Sequence, residues 1–139
     1  GTGKTFSVTR LLAALMEGRT LSVALAAPTG KAAGRMREAI REATDATAQP
    51  VLDVSDEVRA RLQSLPATTL HRLVGVRPDG SSRHTAVNPI PAQLVIVDEV
   101  SMVDLTMMRR LLEAVHPDAR LVLLGDRDQL ASVEALFEI

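Results

Sequence analysis

Three short, almost wholly apolar runs constrain the fold of this chain more than any other feature: residues 21–27 (LSVALAA), 94–97 (LVIV) and 121–124 (LVLL). A strand wetted on one face alternates apolar with polar residues, so continuous apolar runs of this length predict strands buried on both faces. Each run leads into a polar cluster: Pro28-Thr29-Gly30-Lys31, Asp98-Glu99, and Gly125-Asp126-Arg127-Asp128-Gln129. Between the runs, apolar residues recur at helical spacing. Strands alternating with helices predict βαβ units and a parallel sheet flanked by helices, an α/β fold. Ligands of such sheets bind outside the carboxyl ends of the strands, so the three polar clusters are expected on one rim.

The helices are read from periodicity and punctuation. Phe6, Leu11, Leu12 and Leu15 place a helix directly after Lys4-Thr5, ending near Gly18. Ala33, Met36, Ile40 and Ala43 form one stripe of a second helix, with Lys31, Arg35, Arg37, Glu38, Arg41 and Glu42 around the rest. Residues 44–50 read as a loop; Val51, Val54, Val58, Leu62 and Leu65 then repeat at helical intervals until Pro66. A short helix is predicted over 69–74, and a long surface loop over the Gly/Pro/Ser/Asn-rich residues 75–91. Asp104 can cap a helix carrying Met107, Met108, Leu111, Leu112 and Val115. Met102, Met107 and Met108 read as core filling, Arg109 and Arg110 as surface.

Composition narrows the classes. At 139 residues the chain is long enough for one domain with a real core, and 46% hydrophobic content fits a globular α/β protein. It has no Cys, so neither a disulfide scaffold nor a thiolate metal site is available. His71, His84 and His116 are scattered and lack metal-ligand spacing. No stretch approaches the ~20 apolar residues of a membrane span. A reduced, cytoplasmic setting is therefore the default expectation. A net charge of -1 gives no global basic signature, so any nucleic-acid contact must come from local patches. With only Phe6 and Phe137 as aromatics, such contact is expected through backbone phosphates rather than base stacking.

The chain opens on Gly1-Thr2-Gly3-Lys4-Thr5, the last five positions of the phosphate-loop pattern G-x-x-x-x-G-K-[ST]. Gly3 lets backbone N–H groups turn toward phosphate oxygens, Lys4 reaches the β/γ-phosphates, and the Thr5 hydroxyl ligates Mg²⁺. The following helix aims its N-terminal dipole at the same anion. The pattern's first Gly and its preceding strand are absent, so a fragment is expected. The plain alternative is a Gly-rich terminus beside a chance Lys.

Asp98-Glu99 directly after an apolar run is a Walker B pattern. There Asp98 holds the Mg²⁺ hydration shell and Glu99 polarises the water that attacks the γ-phosphate. Alone, the pair also fits a solvated acidic strand end. Gln129, past the third run, carries an amide able to register a terminal phosphate, or to cap its own loop. Lys31 and Arg35, one turn apart at a helix start, offer a sequence-independent phosphate grip, or simply a charged solvated face.

Taken in order, GTGKT, AAPTGKAAGRM, TTLHRLVG, VIVDEVSMVD and LVLLGDRDQLASVEA resemble motifs I, Ia, a segment between Ia and II, II and III of superfamily 1 DNA helicases. The resemblance runs closest to the RecD branch, the alpha subunit of bacterial exodeoxyribonuclease V, and it covers essentially the whole chain. GDRDQLASVE is its most specific string, and RHTAVNPIPAQL before motif II is also similar to that branch. It implies a RecA-like P-loop fold, here incomplete, with residues 1–139 as part of the first motor domain. ATP and Mg²⁺ are the implied cofactors, single-stranded DNA the implied track with 5′→3′ polarity, and RecB and RecC the implied partners in double-strand-break repair and recombination.

Position by position, Gly1, Thr2, Gly3, Lys4 and Thr5 match motif I, Asp98 and Glu99 motif II, and Asp126 and Gln129 motif III. Pro28, Thr29, Gly30, Lys31 and Arg35 match motif Ia, which in such helicases lies along the single strand. Thr69 and His71 match a Thr and a His near DNA, whereas by itself His71, between Leu70 and Leu73, reads as a packed, hydrogen-bonded residue. Val100 stands where Ala is usual, Gly34 where Ala or another small residue is, and residues 136–139 differ from the small residues expected there.

Two other classes compete. A small-molecule kinase or GTPase would share the phosphate loop, but Glu99 beside Asp98 and a Gln-bearing third strand end argue against it. A nucleotide-binding module without turnover is the other, and intact Lys4, Thr5, Asp98 and Glu99 weigh against it. The isolated chain is expected to turn over little, because no arginine finger of a second motor domain is present. The strand before Gly1 is expected beside residues 121–124.

Overall fold

The computed structural model describes residues 2–17, 21–45, 47 and 53–125, with the backbone alone for 2–7. The α/β expectation holds. Strands β1 (Val23–Ala27), β2 (Ala67–Thr69), β3 (Leu94–Val97) and β4 (Arg120–Leu123) form one parallel sheet in the order β2-β1-β3-β4. Around it lie α1 (Thr2–Met16), α2 (Gly30–Thr44), α3 (Asp56–Ser64), α4 (Leu70–Val74) and α5 (Leu105–Ala114).

Alternation along the strands divides the core in two. Leu25, Leu94 and Ile96 face Val8, Leu12, Met16, Met36, Ile40, Val58 and Leu62 of α1, α2 and α3. Ala26, Val95 and Val97 face Leu70, Val74, Met107 and Leu111 of α4 and α5. The sheet is thus covered on both sides, which is why β1 and β3 contain no polar residue. Fully buried Leu or Val side chains of this kind each contribute roughly 1.5–3 kcal/mol relative to exposure.

Local chemistry sets the boundaries. The predicted first strand starts two residues late, because Ser22 is held outside it: Ser22 O accepts the N–H groups of Gln93 (3.0 Å) and Leu94 (3.1 Å), and Ser22 N–H donates to Gln93 Oε1 (3.0 Å). On α1 the buried stripe is Val8, Leu12, Ala13 and Met16, whereas Leu11 is 40% exposed. On α2, Thr44 rather than Ala43 closes the stripe; its hydroxyl donates to Ile40 O at 2.8 Å, satisfying a buried polar group within the helix. Thr44 O in turn accepts from Arg59 and Gln63, tying α3 to α2. Helix α3 is shorter than its apolar repeat, since Ser55 caps it through Val58 N–H, leaving Val54 ahead of the first turn. Val51 and Gly18 lie outside the described residues.

Several expectations are corrected. Strand β2 was not foreseen: three half-buried residues after Pro66 give no periodic signal, and their pairing with Leu25, Ala26 and Ala27 makes them a strand. The 75–91 loop is more ordered than a plain surface loop, with bridges Val76–Ser82 and Thr85–Asn88 and a buried Ile90. Met102 is 61% exposed and fills no core, because it sits in the 3₁₀ turn Val100–Met102 after β3 rather than on α5. Leu112 is 47% exposed, and Ala114 takes the buried position on that helix. Arg110 is half-buried and donates to Ser82 Oγ, while Arg109 is exposed as expected.

Candidate functional site

Parallel pairing brings the carboxyl ends of all four strands to one rim. The chain leaves β1 into α2 on one face of the sheet and leaves β3 into α5 on the other. Because β1 and β3 are neighbours, their exits mark the switch point, the place at which open α/β sheets bind ligands.

The β3 exit carries the acidic pair. Asp98 continues the ladder by donating its N–H to Ala26 O at 2.9 Å, and it is half-buried. Its Oδ1 accepts the Glu99 N–H at 2.8 Å, which fixes the carboxylate against the backbone. Glu99 has φ 55 and ψ 45, and it is the only non-glycine residue with positive φ among the described residues. This left-handed conformation is uncommon for a residue with a Cβ and recurs at functional sites. The turn is closed by Met102 N–H to Glu99 O (3.0 Å) and anchored by Val100 N–H to Leu124 O (2.9 Å). The chain therefore turns sharply once β3 ends, presenting both carboxylates at the rim. An oxygen-only donor set of this kind suits a hard divalent cation such as Mg²⁺.

The β1 exit carries the basic group. Thr29 caps α2, its Oγ1 accepting the Ala32 N–H at 3.1 Å. Thr29, Gly30, Lys31 and Arg35 are exposed and Pro28 is half-buried. The Arg35 guanidinium reaches across to the acidic pair, with Nη2 3.1 Å from Glu99 Oε1. The sequence offers Arg35 as a phosphate contact or a solvated helix residue and does not point to this ion pair; 64 residues separate the partners, and only the pairing of β1 with β3 reveals it.

Thr69 ends β2 beside Ala27, where it caps α4 by accepting the Arg72 N–H at 3.2 Å. His71 is exposed, which overturns its reading as a packed residue. What it contributes internally is its carbonyl, which accepts the N–H groups of Gly75 and Val76, both at 2.9 Å. Leu70 and Val74 are the residues that bury α4, so the helix turns His71 outward.

Helix α1 begins at Thr2, so Gly3, Lys4 and Thr5 form its first turn rather than preceding it. Gly1, Asp126 and Gln129 lie outside the described residues, as do residues 136–139. Among the described residues no group of three or more His, Asp or Glu side chains forms a metal cluster, and no helix is long and apolar enough to cross a membrane.

Comparisons with known proteins agree with the geometry. The family model described as an AAA domain matches residues 1–135. The chain is 57% identical to the RecBCD enzyme subunit RecD of Mycolicibacterium smegmatis, over 97% of this chain and 24% of that protein. It is 46% identical to the subunit of the same name from Haemophilus influenzae, over 97% of this chain and 21% of the relative. It is 43% identical to the ATP-dependent RecD2 DNA helicase of Deinococcus radiodurans, over 97% of this chain and 15% of that protein. The chain thus spans about a quarter or less of the length of these curated relatives.

Proposed function

We propose, for a chain that belongs to the AAA domain family, that it forms part of the first motor domain of an ATP-driven DNA translocase and helicase of the RecD kind. The observation that carries this reading is the acidic pair Asp98–Glu99 at the switch point, in contact with Arg35 of α2. ATP use and DNA unwinding are what the name of the Deinococcus relative states, and assembly with RecB and RecC is what the RecD names imply. Movement 5′→3′ on single-stranded DNA and a role in break repair complete the proposal. A cytoplasmic location belongs to it too, since the DNA lies there.

Each residue has a role in this reading. Gly1, Thr2 and Gly3 bring backbone N–H groups to the phosphates, Lys4 neutralises the β/γ-phosphates, and Thr5 and Asp98 would hold Mg²⁺, which supplies charge neutralisation when bound. Glu99 orients the attacking water and Gln129 senses the γ-phosphate. A rigid strand end suits Asp98 and Glu99, because phosphoryl transfer depends on positioning and electrostatics more than on covalent help. Pro28, Thr29, Gly30, Lys31, Arg35, Thr69 and His71 line the single strand, with affinity from phosphate neutralisation.

In the full-length protein, Lys4→Ala and Glu99→Gln are each expected to lower DNA-stimulated ATP hydrolysis by about 10²-fold or more. Steady-state phosphate release measures this, and a variant retaining near wild-type turnover would remove its residue from the assigned role.

A further inference from the structure

Helix α5 buries one side and carries apolar residues on the other as well. Its buried stripe is Met107, Leu111 and Ala114. Residues seven apart on a helix share a side, so Leu105 and Leu112 fall together, opposite that stripe. Leu105 is 88% exposed and Leu112 47%, and Met102, in the turn that leads into the helix, is 61% exposed. These are three of the five large apolar side chains exposed among the described residues. Single exposed leucines are ordinary on a protein surface, but apolar side chains grouped on one element mark a contact.

The group sits on fixed backbone. Val100 N–H to Leu124 O (2.9 Å), Met102 N–H to Glu99 O and Val103 N–H to Val100 O (both 3.0 Å) hold the turn, and Asp104 caps the helix. Leu112 lies about 10 Å along the axis from Leu105, so the apolar side leads away from the rim. Its charges do not suit a nucleic acid. Arg109 is paired with Glu113 at 3.1 Å, and Asp104 adds a carboxylate, whereas a phosphate backbone calls for cations in excess. A polypeptide with apolar side chains of its own fits instead.

Area decides which polypeptide. A separate protein partner needs roughly 800 Å² on each side for a stable complex, far more than three side chains offer. A segment of the same chain is held at high effective concentration and needs much less. The matched relatives carry about three quarters or more of their length beyond the stretch this chain matches. We propose that the outward side of α5, with Met102, Leu105 and Leu112, is an internal docking face, covered in the full-length protein by an apolar segment from outside residues 1–139.

Met102 reports its own burial, because oxidation follows exposure. Full-length protein without nucleotide or DNA is treated briefly with hydrogen peroxide, and tandem mass spectrometry resolves Met102 from Met107. Met102 is expected to oxidise about five-fold or more slowly than in the same protein unfolded in guanidinium. Buried Met107 is the internal standard for an intact fold. Leu105→Asp is expected to bring Met102 within about two-fold of its unfolded rate while Met107 stays protected. If Met107 shows that this variant unfolds, Leu105→Ser carries the same expectation. Oxidation of wild-type Met102 near its unfolded rate would overturn the proposal. So would protection that survives Leu105→Asp in a folded protein, or that appears only when oligothymidine or a separate protein is added. No turnover enters the measurement, so its outcome is independent of the proposed function.

Discussion

Two backbone positions with positive φ bracket what single residues do in this fold. Gly75 (φ 76) ends α4, and a Cβ built there would lie 2.6 Å from Arg83 Cβ. Gly75→Ala therefore combines a left-handed backbone with a collision between two chain segments, and it is expected to destabilise the domain by about 1–3 kcal/mol, read as a lowered denaturation midpoint. An unchanged midpoint would mean that the 75–83 loop shifts at no cost. Glu99 has similar backbone angles but keeps its side chain, so here the conformation is retained along with a carboxylate. A motif string can name Glu99; it cannot show the left-handed turn or the partner. Residue identity was legible at Asp98, Glu99, Lys31 and Arg35, whereas the ion pair between Arg35 and Glu99 arises only from strand order.

At the scale of elements, periodicity served best where burial was complete and worst where tertiary pairing decided. The four buried residues of β3 were read to their exact bounds, because a strand covered on both faces leaves no polar interruption. Strand β2 was missed, since its three half-buried residues become a strand only by pairing with β1. Helix starts were readable from capping chemistry: Asp104 accepts the Met107 N–H at 2.8 Å, as its position before an apolar stripe implied. Asp104→Ala is expected to cost about 1 kcal/mol of domain stability through loss of that cap. Hydrogen exchange should report the loss as faster exchange in the first turn of α5, and a shift spread evenly over the sheet would contradict a local cap effect. Met102 shows the opposite case. Its type suggested core, yet the turn after β3 holds it away from the α5 stripe.

At the scale of the whole molecule, the fold supplies a platform and the rim supplies chemistry. Helices α2 and α5 leave neighbouring strands on opposite faces, so the switch point between β1 and β3 follows from connectivity rather than from any one side chain. The alternation of apolar runs with helical stretches makes that architecture readable in the sequence. The relative placement of the acidic pair and the basic helix start required strand order, which composition and spacing do not encode. The proposed coupling of single-stranded DNA to ATP hydrolysis at this rim is measured by phosphate release from the full-length protein during titration with single-stranded DNA. The rate is expected to rise steeply and saturate with the DNA; a rate independent of DNA, or phosphate delivered to a small-molecule acceptor instead of water, would contradict the account.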